Sequence, residues 1–286
     1  MKTFFFILIF TSNILFSQNL SKEFTGVIKL NDSSFIPYNI HLVSMDNIFI
    51  TGTSVTDEGG EHETKSKISG SYDSNTHTLK LKEYDIIYSK SPYEELDFCF
   101  IHFEGKIQNF NNPKHIKGPF SGRYIDGSSC IDGELLLADA KKMEQKIKKL
   151  KKKYDKSKFQ KKFKSTNIDS IKIKDITNGE DLNIFIKSKV LKLSIHDSGK
   201  IDNDLINLYI DDKLVLENYS IQKEKKIIPL VLTKERMSIK VVAINEGTSS
   251  PNTVKVEIES PTDYITTRTT LKVNEEAILS LVNKTF

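Results

Sequence analysis

The stretch HTLKLKEYDIIYS, residues 77–89, decides the fold class. Within it Thr78-Leu79-Lys80-Leu81-Lys82 alternates polar and apolar with a period of two, so the leucines share one face of an extended strand and the lysines the wet one. The neighbouring runs have the same short, β-prone character. They are FTGVIKL (24–30), YNIHLVS (38–44), NIFITGTSV (47–55), KSKISGSYD (65–73), DFCFIHFEGKI (97–107), IKGPFSGRY (116–124) and GELLLA (133–138). Turn chemistry separates them at Asp57-Glu58-Gly59-Gly60, Asp73-Ser74-Asn75, Asn111-Asn112-Pro113 and Asp126-Gly127. Many short strands in sequence order predict an antiparallel meander over 19–138 that closes or nearly closes on itself, a device that leaves few exposed edges.

A second β region follows, with LNIFI (182–186), VLKLSIHD (190–197), LINLYIDDKLVLEN (205–218), KKIIPLVLT (225–233), MSIKVVAIN (237–245), TVKVEIES (253–260), TTRTTLKV (266–273) and EAILSLV (276–282). Leu191, Leu193 and Ile195 alternate with polar neighbours, as do Val254, Val256 and Ile258. This pattern predicts a two-sheet, immunoglobulin-like sandwich over 182–286. The chain is therefore expected to be mainly β.

Between the two regions the basic residues concentrate: 141–164 carries thirteen lysines and two acids, whereas the whole chain has a formal charge of only +4. Met143, Ile147, Leu150 and Tyr154 fall on one helical face there, predicting a lysine-rich amphipathic helix over 139–165, followed by a polar linker over 166–181. Three uses compete for that helix. It can dock as a spacer, or contact an anionic lipid or polysaccharide surface through Lys148, Lys149, Lys151, Lys152 and Lys153. Nucleic acid is disfavoured, because no aromatic-rich basic domain accompanies the run.

At the N-terminus, Met1-Lys2 precedes an apolar run at 4–10, resumed by Ile14-Leu15-Phe16 before polar Ser17-Gln18-Asn19. This is signal-peptide anatomy over 1–18, and it predicts an exported chain, periplasmic or extracellular and soluble after cleavage. Cys99 and Cys130 are the two cysteines of the sequence, and in an oxidising compartment they are expected to form a disulfide.

Two resemblances accompany this reading. The series Gly26, ITGTS (50–54), ISGSYD (68–73), LKLKEYDIIYS (79–89), FCF (98–100), GPFSGRY (118–124) and Cys130 with IDGELLL (131–137) resembles a lipocalin-like β-barrel of secreted Bacteroidota proteins. It implies a barrel, not a ligand. HDSGKIDNDLINLYIDDKLVLENYSI (196–221), followed by VVAINEGTSSPNTVKVEI (241–258), resembles a β-sandwich module recurrent in envelope and secreted proteins of the same group. Its core is an Asp-x-Gly-x-x-Asp-x-Asp turn with a later Asn-x-Gly…Pro-Asn-Thr loop, and it implies an accessory or binding module.

Chemistry concentrates at Asp197-Ser198-Gly199-Lys200-Ile201-Asp202-Asn203-Asp204. Asp197, Asp202 and Asp204, completed by Asn245 or Glu246, offer oxygens of the kind Ca²⁺ takes; the spacing is not that of an EF-hand. The same residues also suit an exposed turn that holds no metal. Glu61-His62-Glu63 lacks the spacing of a zinc hydrolase and reads as a solvated hairpin tip. No nucleophile elbow, phosphate loop, dinucleotide fingerprint or Cys/His metal spacing occurs, so a non-catalytic protein is expected. The expected role is an exported binding or accessory protein of the cell envelope, recognising a ligand, glycan or envelope protein. One alternative is a carrier of a small apolar ligand inside the barrel, lined by Phe49, Tyr72, Phe98, Phe100, Phe103 and Phe120. A structural or interaction protein of the envelope is another, and a hydrolase ranks last.

Overall fold

Leu79 and Leu81 do share a buried face, and the strand that carries them organises the whole molecule. The computed structural model describes residues 20–45, 48–107, 110, 115–145, 174–197 and 201–284. Eight antiparallel strands come first: β1 (Leu20–Leu30), β2 (Phe35–Met45), β3 (Phe49–Thr56), β4 (Thr64–Asp73), β5 (Thr78–Ser89), β6 (Phe100–Lys106), β7 (His115–Arg123) and β8 (Ser129–Asp139). Neighbours pair in sequence order; β1 pairs with β8 and β5 with β6, so the sheet closes into a barrel. Closure satisfies the ladder groups that an open meander would leave at its edges.

The barrel interior is filled by Phe24, Tyr38, Leu42, Ile50, Leu79, Phe103, Phe120 and Leu137, among others. Gly26 and Gly52 lie where an added Cβ would collide with the backbone carbonyls of Leu136 and His41, so neighbouring strands approach as closely as they do only because these positions lack side chains. A disulfide joins Cys99 and Cys130, with Cα atoms 6.1 Å apart, well within ordinary bridging distance.

The second half contributes β9 (Lys174–Thr177), β10 (Asp181–Ile186), β11 (Val190–His196), β12 (Leu205–Ile210), β13 (Lys213–Ser220), β14 (Lys226–Val231), β15 (Arg236–Ala243), β16 (Asn252–Glu259), β17 (Tyr264–Leu271) and β18 (Glu276–Asn283). One sheet runs β14-β11-β16-β17-β9; the other strands, in the order β13-β12-β15-β18-β10, continue from β5 of the barrel, making a thirteen-stranded sheet. The two layers share one core, to which Ile184, Leu193, Leu208, Val241, Val256 and Leu279 contribute from six strands. Two pairings are parallel, β10 with β18 and β9 with β17.

β5 belongs to both halves because it changes direction. Its ladder with β4 slips at two points, leaving Tyr84 and Ile87 without partners in the register. Such bulges bend a strand and re-aim its side chains. Up to Lys82 the strand pairs with β6; beyond the bulges Tyr88 and Ser89 pair with Ile184 and Asn183 of β10. Leu79, Leu81 and Glu83 are therefore buried on the barrel side, whereas Tyr88 joins the core of the second half.

The junction is sealed by Ile86, Phe100, Phe185 and Val282, with Phe98 edge-on to Phe185 at 5.7 Å. β10 is buried on both faces, Ile184 inward to the two-layer core and Phe185 toward the barrel, which explains its nearly unbroken apolar run. Charges lock the seam. Lys284 is 3% exposed and bonds both the Asp85 carboxylate and the Ile86 carbonyl, while Lys67 bridges Asp85 (3.2 Å) and Asp263 (3.1 Å).

Several expectations need adjustment. β8 runs on through Asp139, past the 138 boundary, and β9 lies inside the segment read as a linker. Of the lysine-rich helix over 139–165, only a helical turn at 140–145 falls among the described residues; Lys148, Lys149, Lys151, Lys152 and Lys153 lie outside them, as does the 1–18 segment. Glu63 is no solvated tip residue. It is 2% exposed, accepting from Tyr88 Oη (2.8 Å) and Gly59 N (2.7 Å) and pairing with Lys174 at 2.7 Å.

Candidate functional site

The acidic turn lies in the loop 197–204 between β11 and β12, and the loop 244–251 between β15 and β16 lies against it. Topology dictates that neighbourhood. β11 pairs with β16 in one layer and β12 with β15 in the other, so both crossings between layers occur side by side. Thr248 N donates to the Asp202 carbonyl at 3.0 Å, and Ile244 N to the Leu205 carbonyl at 2.9 Å.

Asp197, Asp202 and Asp204 are all buried, at 7%, 7% and 4% exposure, while Ile201 between them is 41% exposed, so the acidic side chains turn inward from a segment that also meets solvent. Asn245 has a different part from the one expected. Its Oδ1 accepts from Leu205 N (2.7 Å) and Gly247 N (3.3 Å) while its Nδ2 donates to the Asn203 carbonyl (3.1 Å), so it staples the two loops together. Asn252, which the sequence reading did not single out, is the fully buried amide of the pair. The signal was present in the Pro-Asn-Thr of the second loop, but nothing local tells which asparagine turns inward.

Accounting for lone pairs separates this cluster from the other buried acids. Asp204 Oδ2 accepts from Thr253 N at 3.1 Å, yet its Oδ1 has no partner; nor do Asp202 Oδ1 and Asn252 Oδ1. The Asn252 orientation is fixed, because its Nδ2 donates to two carbonyls, Leu205 (3.1 Å) and Asn245 (2.9 Å), and a flipped amide would set oxygen against oxygen. Burial, together with the nearby Asp202, Asp197 and Glu246 carboxylates, pushes the Asp204 carboxyl up to about 6. Among the described residues, no group of three or more His, Cys, Asp or Glu side chains is arranged to hold a metal ion by itself.

Glu83 in the barrel shows the contrasting case. Its carboxylate accepts from Tyr38 Oη (2.9 Å), from Ser54 Oγ and from Ile101 N (2.8 Å), the last at the point where β5–β6 pairing stops. Burial raises its affinity for a proton while those three donors oppose the shift.

The residues proposed to line a barrel cavity separate into three groups. Tyr72, Phe103 and Phe120 are part of the packed barrel core. Phe98 and Phe100 pack outside it, on the seam, and Phe49 is 65% exposed. A groove of about 530 Å³ lies instead on the surface beside the barrel rim, lined by Tyr93, Leu96, Asp97, Tyr124, Ile125 and Asp126. It is formed by the β5–β6 connection and the β7–β8 turn, and the Cys99–Cys130 bond ties the chain next to one to the chain next to the other.

The chain matches no family model, no curated protein and no solved structure.

Proposed function

We propose that the protein is an exported, non-catalytic binding or accessory protein of the cell envelope, and that the rim groove is its binding face. The observation that carries this reading is the groove's composition. Tyr93, Leu96, Tyr124 and Ile125 are 54%, 69%, 36% and 47% exposed, a cost no soluble surface needs for folding, and two carboxylates flank them. Aromatic faces with carboxylates beside them suit a sugar, whose C–H face packs on a ring while its hydroxyls donate to Asp97 and Asp126. A glycan is accordingly the proposed ligand. The side chains filling the barrel weigh against carriage of an apolar molecule, and the Cys99–Cys130 bond supports export. The two-layer half is read as the immunoglobulin-like accessory module that the loop resemblance implies.

A second reading, docking onto another envelope protein, is favoured by the outer face of β11 and β14. Val190, Ile227 and Val231 are 64%, 57% and 56% exposed there. A glycan array probed with the full-length secreted chain separates the two. Binding to at least one glycan, lost in the Tyr93→Ala/Tyr124→Ala double variant, supports the groove. No glycan retained, or retention by the double variant, overturns it.

A further inference from the structure

The acidic loop pair is short of one component. Burying a carboxylate or amide oxygen with no partner is unfavourable, and native proteins rarely tolerate it unless something outside the protein satisfies the group. Eight such side-chain atoms occur among the described residues, and three of them belong to this loop pair and its border: Asp202 and Asp204 in the first loop and Asn252, the first residue of β16, directly after the second. Asp85 Oδ2, by comparison, has the Lys67 ammonium at 3.2 Å. No lysine or arginine is ion-paired with Asp202 or Asp204 among the described residues.

We infer that Asp202 Oδ1, Asp204 Oδ1 and Asn252 Oδ1 are the protein's share of a calcium site that completes the junction of the two loops. All three are hard oxygen donors, and Ca²⁺ takes six to eight of them from carboxylates, amide oxygens, backbone carbonyls and water. One divalent charge offsets two carboxylates that otherwise repel each other. A donor set of two acids and an amide is consistent with there being no group of three such acidic or metal-ligating side chains among the described residues. It also differs from the set expected from the sequence: Asp202 and Asp204 are kept, Asp197 is not among the donors, and Asn252 stands in place of Asn245.

The backbone of the second loop closes tightly on Asp202. Gly247 sits at φ +53°, and a Cβ there would stand 2.7 Å from Asp202 Oδ1. Any other residue would be strained and would crowd the carboxylate oxygen that has no partner. Asn203, at φ 68°, turns the chain between the two acids, and its carbonyl is held by Asn245. Asn245 is thus a positioning residue, fixing the loops without spending its oxygen on the ion. Two carboxylates are few for this ion, which places the affinity near that of extracellular calcium modules, at roughly 10⁻⁴ to 10⁻³ M.

The test uses the full chain, stripped with chelator and titrated with CaCl₂ alone, read by thermal unfolding and by calorimetry. A concentration about thirty times Kd should raise Tm by roughly 5 °C, with saturable one-site binding. The same concentration of MgCl₂ should give less than half that rise, since Mg²⁺ demands a tighter octahedron. Asp202→Asn and Asp204→Asn should abolish the response while unfolding, in chelator, no earlier than the parent. Asp97→Asn, in the rim groove, should leave it intact. An unchanged Tm in saturating calcium overturns the inference in favour of a turn that holds no metal. An equal magnesium response, or a calcium response surviving in both loop variants, overturns it as well.

Discussion

Glu83 in the barrel and Asp204 in the loop pair are both 4% exposed, yet only one of them is chemically at rest. Every acceptor position Glu83 needs is met by Tyr38, Ser54 and Ile101, so its burial closes a polar network inside an apolar barrel. Asp204 has one oxygen on Thr253 N and one on nothing, beside Asp202 and Asn252 in the same condition. Burial alone therefore does not set the loop pair apart; three unpartnered oxygens on adjoining segments do. Asp85 is a third kind of buried acid, neutralised by the Lys284 ammonium across the seam.

The largest test of that comparison is Asp85→Ala. Removing the carboxylate strands a buried ammonium, and stability should fall by about 3–5 kcal/mol in a denaturant titration. Both halves should still unfold in one transition; two separate transitions would show that the seam does not couple them. Next in size is the Cys99→Ser/Cys130→Ser pair, which opens a loop of 31 residues in sequence separation. It should lower stability by about 3–4 kcal/mol by the chain-entropy relation, read as Tm of the variant against the oxidised parent.

Glu83→Gln should cost about 2 kcal/mol, because a single amide oxygen cannot accept from all three donors. Asp204→Asn without metal should be neutral or stabilising. Equal losses at the two positions would remove the distinction between a satisfied acid and an unfilled one.

The smallest effect is a pH dependence. Burial alone would raise Glu257, but the Lys225 ammonium, then Lys255, Tyr264 and His196, bring it from 4.5 down to about 2. The folded carboxyl then holds its proton more weakly than the unfolded one, so its contribution is present above about pH 4.5 and is lost as pH falls toward 2. Glu83, whose folded carboxyl is raised, runs the other way: its contribution is full below 4.5 and declines as pH rises through the folded value. Glu257→Gln should flatten the acid limb of a Tm–pH profile, and Glu83→Gln should flatten the limb above it.

Strand identity was legible wherever a period of two met turn residues, as at Leu79 and Leu81 or Leu191, Leu193 and Ile195, because alternation is a local property. The disulfide was legible from the cysteine count and the export reading. Closure and sharing were not, since register is set by pairings far apart in sequence. Phe49 shows how fine that limit is: its neighbour Ile50 is 1% exposed in the barrel core while Phe49 itself faces out. Phe100 and Phe103 are equally apolar in sequence, but the second half covers the barrel's outside at that point, so Phe100 is buried on the other face. In the loops, acid clustering pointed to the candidate site, whereas the choice between Asn245 and Asn252 depended on which carbonyls each amide meets across the strand crossings.

The continuous ladder from β4 through β5 into β10 has a practical corollary for anyone who handles this gene. Besides the covalent chain between 145 and 174, the shared strand, the Phe98–Phe185 contact and the buried Lys284 join the two halves. Expressed as two open reading frames broken within that interval, the pieces should find each other and run as one species in native mass spectrometry. Cloned singly, each piece would carry an open strand edge and a bare aromatic face into solution, the recipe for inclusion bodies.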